Sequence, residues 1–209
     1  CNLFLADEIN RTSSKTQSAL LEAMEEGAVT VDSVTRKLPD PFIVLATQNP
    51  SGSAGTQLLP ESQLDRFMIR LSMGYPTVGE ETEILKAKSS KKAAPQVEPI
   101  MTAQDLIEIR SAAEDVFVSD EIYDYIARLS GATRSDRRLE LGVSTRGSLA
   151  AAAMAKCAAM FKGRNFVIPE DVTFVYTDVC AHRIIPARVK GKLPSDIEVR
   201  EILCDICRG

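Results

Sequence analysis

Two adjacent carboxylates near the start of the sequence have the setting that phosphate chemistry requires. Asp7 and Glu8 directly follow the short apolar run 2–6. Such a run followed by acids predicts a buried strand that delivers carboxylates to the edge of a sheet. At a nucleotide site, the first acid would orient hydrated Mg²⁺ and the second would polarise the attacking water. The alternative is a strand end whose acids only meet solvent.

Asn49 could contribute to the same site. It follows the apolar run 42–46 and precedes Pro50. If the two apolar runs form neighbouring strands, the Asn49 amide would face the same crevice and hydrogen-bond a phosphate or the water. The alternative is that Asn49 is only the turn residue of an Asn-Pro pair.

Two arginines are further candidates for binding a phosphate. Arg66 suits a terminal phosphate because its planar guanidinium binds bidentately and stays charged. The alternative for Arg66 is an ion pair within the chain, with Asp65 or another surface acid. Arg146 lies in the first turn of an alanine-rich helix, where a cation opposes the helix dipole. That position suggests a role elsewhere, although many exposed arginines have none.

The composition is ordinary for a soluble globular protein. The chain has 209 residues, 44% hydrophobic and 26% charged, with a net charge of -4. This length allows one large domain or two modest ones. The negative charge argues against general nucleic-acid binding, and an aromatic content of 5% argues against base-stacking platforms. No apolar run reaches membrane-spanning length, so we expect no membrane insertion.

An odd number of cysteines in a chain this long indicates reduced thiols, and we expect a cytoplasmic location. The cysteines are Cys1, Cys157, Cys180, Cys204 and Cys207. The spacing of the last two suits redox or zinc chemistry but is more typical of one helix face. His182, the single histidine of the sequence, is expected to be structural. The chain begins without Met, and we expect it to be part of a longer protein.

The first part of the chain alternates short strands with helices, and the second part is helical. The first part should contain a strand over 2–6, a helix from Thr12 or Ser13 to Gly27, a hairpin over 29–38, and strands over 42–46 and 68–71. The run 42–46 is apolar on both faces, as in a central parallel strand. Capping signals predict helices that open at Thr77, Thr102, Ser119, Ser144, Pro169 and Ser195.

In this order and spacing, four segments resemble the motifs of MoxR-type AAA+ ATPases. The segment 2–11, NLFLADEINR, and the helix after it resemble the Walker B region of that family. ATQNP, at 46–50, resembles sensor 1. LPESQLDRF, at 59–67, resembles the segment with the arginine finger, and STRGSL, at 144–149, resembles sensor 2. Each motif alone is modest, but four together over nearly the whole chain are highly specific.

The resemblance implies a role for each candidate residue. Asp7 would be the acid of the Mg²⁺ site and Glu8 the catalytic base. Asn49 would be sensor 1, acting in catalysis and in nucleotide binding. Arg66 would reach the nucleotide of a neighbouring subunit, and Arg146 would be the sensor 2 of the lid, acting in cis or in trans. The implied cofactors are ATP and Mg²⁺.

The implied fold is an α/β partial P-loop NTPase (AAA+) core followed by an all-α helical lid domain. The core would cover residues 1–88, a linker 89–99, and the lid 100–209. Thr145 stands where the family usually has Pro, so we expect a less rigid helix start. The sequence has no G-x-x-x-x-G-K-S/T loop.

By the resemblance, the phosphate-binding loop and the first two core strands would lie upstream of residue 1. We therefore expect this chain by itself to bind ATP poorly and to hydrolyse almost none. Its half-sheet should expose edges and apolar faces, through which the chain could associate.

The resemblance implies an ATP-hydrolysing motor that assembles into a ring, expected to be a hexamer. It would remodel or mature partner proteins, including the insertion of a metal or cofactor, and proteins with von Willebrand A domains are the partners that the family suggests. One alternative is a magnesium-chelatase-like motor subunit, which shares the hairpin and the lid. Another is a non-enzymatic, protein-binding remnant of an ATPase.

Overall fold

The computed structural model describes residues 1–48, 59–89, 97–188 and 194–209. The strands are β1 (Leu3–Ala6), β2 (Ala28–Val31), β3 (Val34–Lys37), β4 (Ile43–Ala46), β5 (Leu139–Leu141) and β6 (Ile185–Pro186). The helices are α1 (Ser14–Glu26), α2 (Glu61–Leu64), α3 (Val78–Ser89), α4 (Ala103–Glu114), α5 (Asp120–Ser135), α6 (Thr145–Phe161), α7 (Pro169–Cys180) and α8 (Asp196–Arg208). The chain thus has a small sheet core with helices, followed by a helical lid, as expected from the sequence.

Strands β1 and β4 form a parallel pair, with a register that runs from Leu3 opposite Ile43 to Ala6 opposite Ala46. Because the strands are parallel, the residues that follow them emerge at the same edge of the sheet. The two apolar runs are thus neighbouring strands, which is the condition on which the expectation for Asn49 rests. Within the described residues β4 pairs with β1 alone, so the central position expected for it is not seen there.

Helix α1 and the hairpin after it have the ends that their sequences predict. The Ser13 side chain accepts a hydrogen bond from the Thr16 amide, and Gly27 takes a left-handed conformation at the other end of the helix. Strands β2 and β3 pair antiparallel. Their turn residues Asp32 and Ser33 both have positive φ, as a two-residue turn between right-twisted strands requires.

The lid packs around α6. Its buried face carries Ala151, Ala155 and Ala159, each fully buried, at a spacing that repeats on one side of a helix. These small side chains let α7 approach closely, and Tyr176 of α7 is also fully buried. The central position expected for the alanine-rich helix is confirmed.

The strand predicted over 68–71 is wrong. These residues have no regular secondary structure and belong to no sheet of the described chain. Their backbone instead pairs with the lid: the Arg70 amide donates to the Asp178 carbonyl at 3.0 Å, and the Met68 and Arg70 carbonyls accept from Arg183 and Arg200. An apolar run forms a strand only when a neighbouring strand lies alongside, and none does so in the described chain.

A short pairing in the lid was not predicted. Strands β5 and β6 pair antiparallel, with an irregular register between Leu139 and Leu141. Each has only two or three residues, too few for an alternating pattern to be visible in the sequence. They hold the chain after α7 against the chain before α6.

The faces of the β1–β4 pair are open. The side chains of Leu3, Leu5, Ile43 and Leu45 are between 40% and 61% exposed. This agrees with the expected exposure of apolar faces. In the described parts of the chain, no helix has the length and apolar character needed to cross a bilayer.

Candidate functional site

One hydroxyl organises the carboxylates after β1. Thr47, the residue after β4, donates from Oγ1 to Oδ1 of Asp7 at 2.6 Å, and the same oxygen accepts from the Glu8 amide at 2.8 Å. The Thr47 carbonyl also accepts from the Ile9 amide at 3.0 Å. The two strand ends are therefore tied together where the candidate acids emerge.

Glu8 has an unusual backbone. Its φ and ψ are 47° and 52°, the left-handed region that costs a non-glycine residue about 1 kcal/mol or more. The hydrogen bonds to Thr47 on either side hold the chain in this turn. The Glu8 carboxylate pairs with Arg11 at 2.8 Å, in an ion pair that is largely open to solvent. The carboxylate is thus accessible to a water or to a ligand that displaces Arg11.

Asn49 lies outside the described residues. The described chain reaches Gln48, two residues after β4 ends. Its assignment as sensor 1 stays a prediction from the sequence.

Arg66 and Arg146 meet at one acid. Arg66 contacts Oε2 of Glu25 at 2.9 Å, and Arg146 contacts Oε1 of the same carboxylate. Glu25 lies in the last turn of α1, Arg66 follows α2, and Arg146 lies in the first turn of α6. The alternative reading of Arg66, an ion pair within the chain, is therefore realised, but with Glu25 rather than with Asp65.

The arginine pair and the carboxylate pair lie at opposite ends of α1. Glu8 precedes the helix, whereas Glu25 is eleven residues beyond its first residue, Ser14. The Gln17 side chain donates to the Ile9 carbonyl, so the chain next to Glu8 lies beside the first turns of α1. At a rise of 1.5 Å per residue, Gln17 and Glu25 are about 12 Å apart along the helix. The sequence indicated all four side chains, and the resemblance implied a separate place for Arg66, but neither indicated that Arg66 and Arg146 share one acid.

A shallow cavity of about 330 Å³ adjoins Arg66 and Glu25. It is lined by α1 on one side and by Gln63 and Arg66 on the other. The Nε atom of Arg66 and the Oε1 atom of Gln63 are buried and have no hydrogen-bond partner among the described residues. Both atoms belong to residues that line the cavity.

A buried ion pair fixes the Arg66 segment to the lid. Arg183 donates from Nε to Asp65 at 2.9 Å, and the Asp65 carboxylate also accepts from the Ser144 hydroxyl. Ser144 is the N-cap residue of α6, two positions before Arg146. Asp65 thereby couples the position of Arg66 to that of Arg146. Desolvation lowers the pKa of Arg183, and Asp65 opposes that shift.

His182 is structural, as expected from the sequence. Its Nε2 donates to the Phe67 carbonyl at 2.9 Å, and its ring is buried. Burial lowers the pKa of His182 to about 4, and the hydrogen bond to Phe67 opposes that shift. The ring is therefore neutral at physiological pH and serves as a hydrogen-bond donor to the Arg66 segment.

Sequence reasoning missed Thr47 and Glu25. Thr47 could have been found from the expected pairing of the two apolar runs, because a parallel register sets the residue after one strand beside the residue after the other. Glu25 carries no comparable signal. It is one of several acids on α1, and only the fold brings two arginines to it.

The residues at the strand ends suit a magnesium ion. Mg²⁺ prefers carboxylate oxygens and, at nucleotide sites, is held by one or two of them together with waters and phosphate. Asp7 offers an exposed carboxylate whose Oδ1 is fixed by Thr47. Within the described ranges, no group of three or more acids, histidines or cysteines could hold a metal alone.

The comparisons with known proteins agree with this architecture. Residues 1–69 match the profile of the family described as ATPase family associated with various cellular activities (AAA), and residues 131–202 match the AAA lid domain. A crystal structure of a candidate ATPase from Cytophaga hutchinsonii superposes with a TM-score of 0.87 at 37% identity, covering 99% of this chain and 65% of the other. The fold and the site together define an AAA+ ATPase.

Two relatives refine this assignment. The uncharacterised protein YeaC of Bacillus subtilis is 44% identical over 97% of this chain and 64% of its own length. The chaperone MoxR1 of Mycobacterium tuberculosis is 40% identical over 88% of this chain and 51% of its own length. The chain belongs to the MoxR-type AAA+ ATPase family. It spans about half to two thirds of the length of these relatives.

Proposed function

We propose that the protein containing this chain is an ATP-hydrolysing motor that requires Mg²⁺. The observation that carries this proposal is the Thr47 hydroxyl, which fixes Asp7 and the Glu8 amide at the joined ends of two parallel strands. Carboxylates held at such an edge are suited to nucleotide chemistry. Membership of an ATPase family supports the same activity.

Each residue of this cluster has a separate task in the proposal. Asp7 holds the magnesium ion, which when bound neutralises charge on the phosphates. Glu8 accepts a proton from the attacking water, and its carboxylate becomes available for this when it leaves Arg11. Asn49 contributes a hydrogen bond to the water or to a phosphate. Thr47 keeps the two acids at fixed positions, which is the contribution that orientation makes to catalysis.

We infer that Arg66 and Arg146 act on the nucleotide of an adjoining subunit. Both contact Glu25, about 12 Å along α1 from Gln17, the helix residue that contacts the chain next to Glu8. This separation favours action across a subunit boundary over action on a nucleotide held by the same subunit. A ring, proposed here as a hexamer, would bring this end of one subunit to the strand ends of the next.

The cellular role is proposed from the relatives. One relative carries the name chaperone MoxR1. By analogy, the whole protein would remodel or mature partner proteins, including the insertion of a metal or cofactor, in the cytoplasm. Proteins with von Willebrand A domains are proposed as partners, on family resemblance alone.

The test is ATP hydrolysis by the whole protein with Mg²⁺, beside its Glu8→Gln variant. We expect hydrolysis to fall by about a hundredfold or more while nucleotide binding is retained, because the variant lacks only the base. The matched control is Glu22→Gln, an exposed acid on α1. Absence of both binding and hydrolysis in the unaltered protein would reject the proposal and favour a non-enzymatic binding role.

A further inference from the structure

Glu25 is the only partner that Arg66 and Arg146 share in the described chain. Its Oε2 atom contacts Arg66, and its Oε1 atom contacts Arg146. The two arginines come from different parts of the fold, one from the core and one from the lid. Without an anion between them, the two positive charges would repel each other, because both lie against the same carboxylate.

The ion pairs of Glu25 with the two arginines are accessible to solvent. The side chains of Arg66, Glu25 and Arg146 are 31%, 33% and 48% exposed. Ion pairs this accessible to water contribute little to folding stability, since solvent screens them. An incoming anion can therefore replace Glu25 without opening the core.

The arginines have donors in reserve. A guanidinium carries five N–H donors in a planar fork that matches the oxygens of a phosphate. Glu25 engages a terminal nitrogen of each arginine, and Nε of Arg66 has no hydrogen-bond partner among the described residues. The cavity beside Arg66 and Glu25 gives such an anion room to approach.

The other charged side chains near Arg66 and Arg146 do not serve as a counter-ion to them. Arg183 lies beside the first turn of α6, but its charge is already paired with Asp65. Glu22 and Glu26 line the same cavity and form no ion pair with either arginine. Glu25 is therefore the acid whose charge an incoming anion must replace.

We propose that Glu25 is a displaceable counter-ion that holds Arg66 and Arg146 side by side until a phosphate-type oxyanion takes its place. Glu25 acts as a positioning residue: it keeps the pair at a spacing that suits two oxygens of one anion. The identity of that anion, the terminal phosphate of a nucleotide on an adjoining subunit, rests on the proposed function. The exchange itself requires only an oxyanion.

The test is a titration of the chain with inorganic pyrophosphate, followed by the Nε–Hε NMR signals of its arginines. Variants Arg66→Gln and Arg146→Gln assign the two signals. In Glu25→Gln, pyrophosphate should bind roughly five- to tenfold more tightly, because the competing charge is gone while one oxygen still accepts a hydrogen bond. Glu25→Asp, which retains the charge, should bind no more tightly than the unaltered chain.

The matched control is Glu22→Gln, which removes one charge from the same helix and cavity and should leave the affinity within about twofold. The gain from Glu25→Gln should also disappear when both arginines are replaced by Gln. Equal affinity of Glu25→Gln and the unaltered chain, or an equal gain in Glu22→Gln, would overturn the proposal.

The outcome is separable from that of the proposed function. If Glu25→Gln strengthens pyrophosphate binding but the whole protein hydrolyses no ATP, the counter-ion role of Glu25 is supported and the proposed ATPase function is rejected. If the whole protein hydrolyses ATP through Glu8 but Glu25→Gln leaves the arginine signals and the pyrophosphate affinity unchanged, the ATPase function is supported and the counter-ion role of Glu25 is rejected.

Discussion

Arg183 of the lid donates to Asp65 of the core across 2.9 Å, and only 2% of the Arg183 side chain is exposed. The guanidinium also donates to the carbonyls of Asp65, Phe67 and Met68. A buried arginine with this many partners requires all of them, because desolvating a charge without compensation is costly. The pair therefore fixes the core segment with Arg66 to the lid helix with Arg146.

Replacing Asp65 with Ala should destabilise the chain strongly. Arg183 would then be a buried charge without its carboxylate, and we expect a loss of about 3 kcal/mol in the free energy of unfolding. Urea unfolding, followed by circular dichroism, measures this loss. The control is Asp40→Ala, which breaks an exposed ion pair with Arg110 and should cost less than about 1 kcal/mol. Equal losses in the two variants would contradict this account of the Asp65–Arg183 pair.

Acid should destabilise the fold partly through His182. The pKa of an unfolded histidine is about 6.5, whereas burial lowers that of His182 to about 4. Between these values the unfolded chain binds a proton that the folded chain does not, so stability falls as the pH falls through this window. The loss amounts to at most about 3 kcal/mol. A proton on the buried Nδ1 would find no acceptor among the described residues.

The variant His182→Gln tests this linkage, because an amide can still donate to the Phe67 carbonyl but does not titrate. Urea unfolding at pH 7 and at pH 4.5 should show a smaller loss of stability in the variant than in the unaltered chain. If the free energy of unfolding falls by the same amount between pH 7 and pH 4.5 in both proteins, other groups account for the acid sensitivity.

Removing the Thr47 hydroxyl should impair the candidate catalytic cluster more than the fold. In Thr47→Val, Asp7 loses a hydrogen bond and the Glu8 amide loses its acceptor, at an exposed edge where water can substitute. We expect a stability loss of about 1 kcal/mol and a fall in ATP hydrolysis by the whole protein of about tenfold. Thr47→Ser, which keeps the hydroxyl, should remain near the unaltered rate. A valine variant with full activity would exclude an orienting role for Thr47.

The cysteines should differ widely in reactivity towards iodoacetamide. Burial raises the pKa of Cys180 to about 12, and it raises that of Cys207 to about 11. Cys1 is exposed. Because the thiolate is the reactive form, Cys1 should be alkylated first and Cys180 last in the folded chain at pH 8. Peptide mass spectrometry over time gives the order, and early alkylation of Cys180 would contradict its burial.

The local signals of this sequence predicted most helix starts, because capping is decided by a few adjacent residues. Thr102, Ser144 and Ser195 each accept a hydrogen bond at the start of the helix that was expected there. The acids after β1 were likewise visible as a strand end. These features depend on short stretches of chain, which the sequence displays directly.

Features that depend on distant segments were not visible in the same way. The run 68–71 is apolar enough for a strand, but its backbone pairs with side chains of the lid. Glu25 is distinguished from Glu22 and Glu26 only by the two arginines that the fold brings to it. Hydrophobic pattern and spacing carry no information about such contacts between remote positions.

The contact between lid and core is unequal in what each side contributes. The lid supplies side chains, from His182, Arg183 and Arg200, whereas the core segment mainly supplies the backbone carbonyls of Phe67, Met68 and Arg70. A substitution in the core segment keeps its carbonyl, but a substitution in the lid removes a donor. We therefore expect Met68 to tolerate many substitutions and Arg183 almost none.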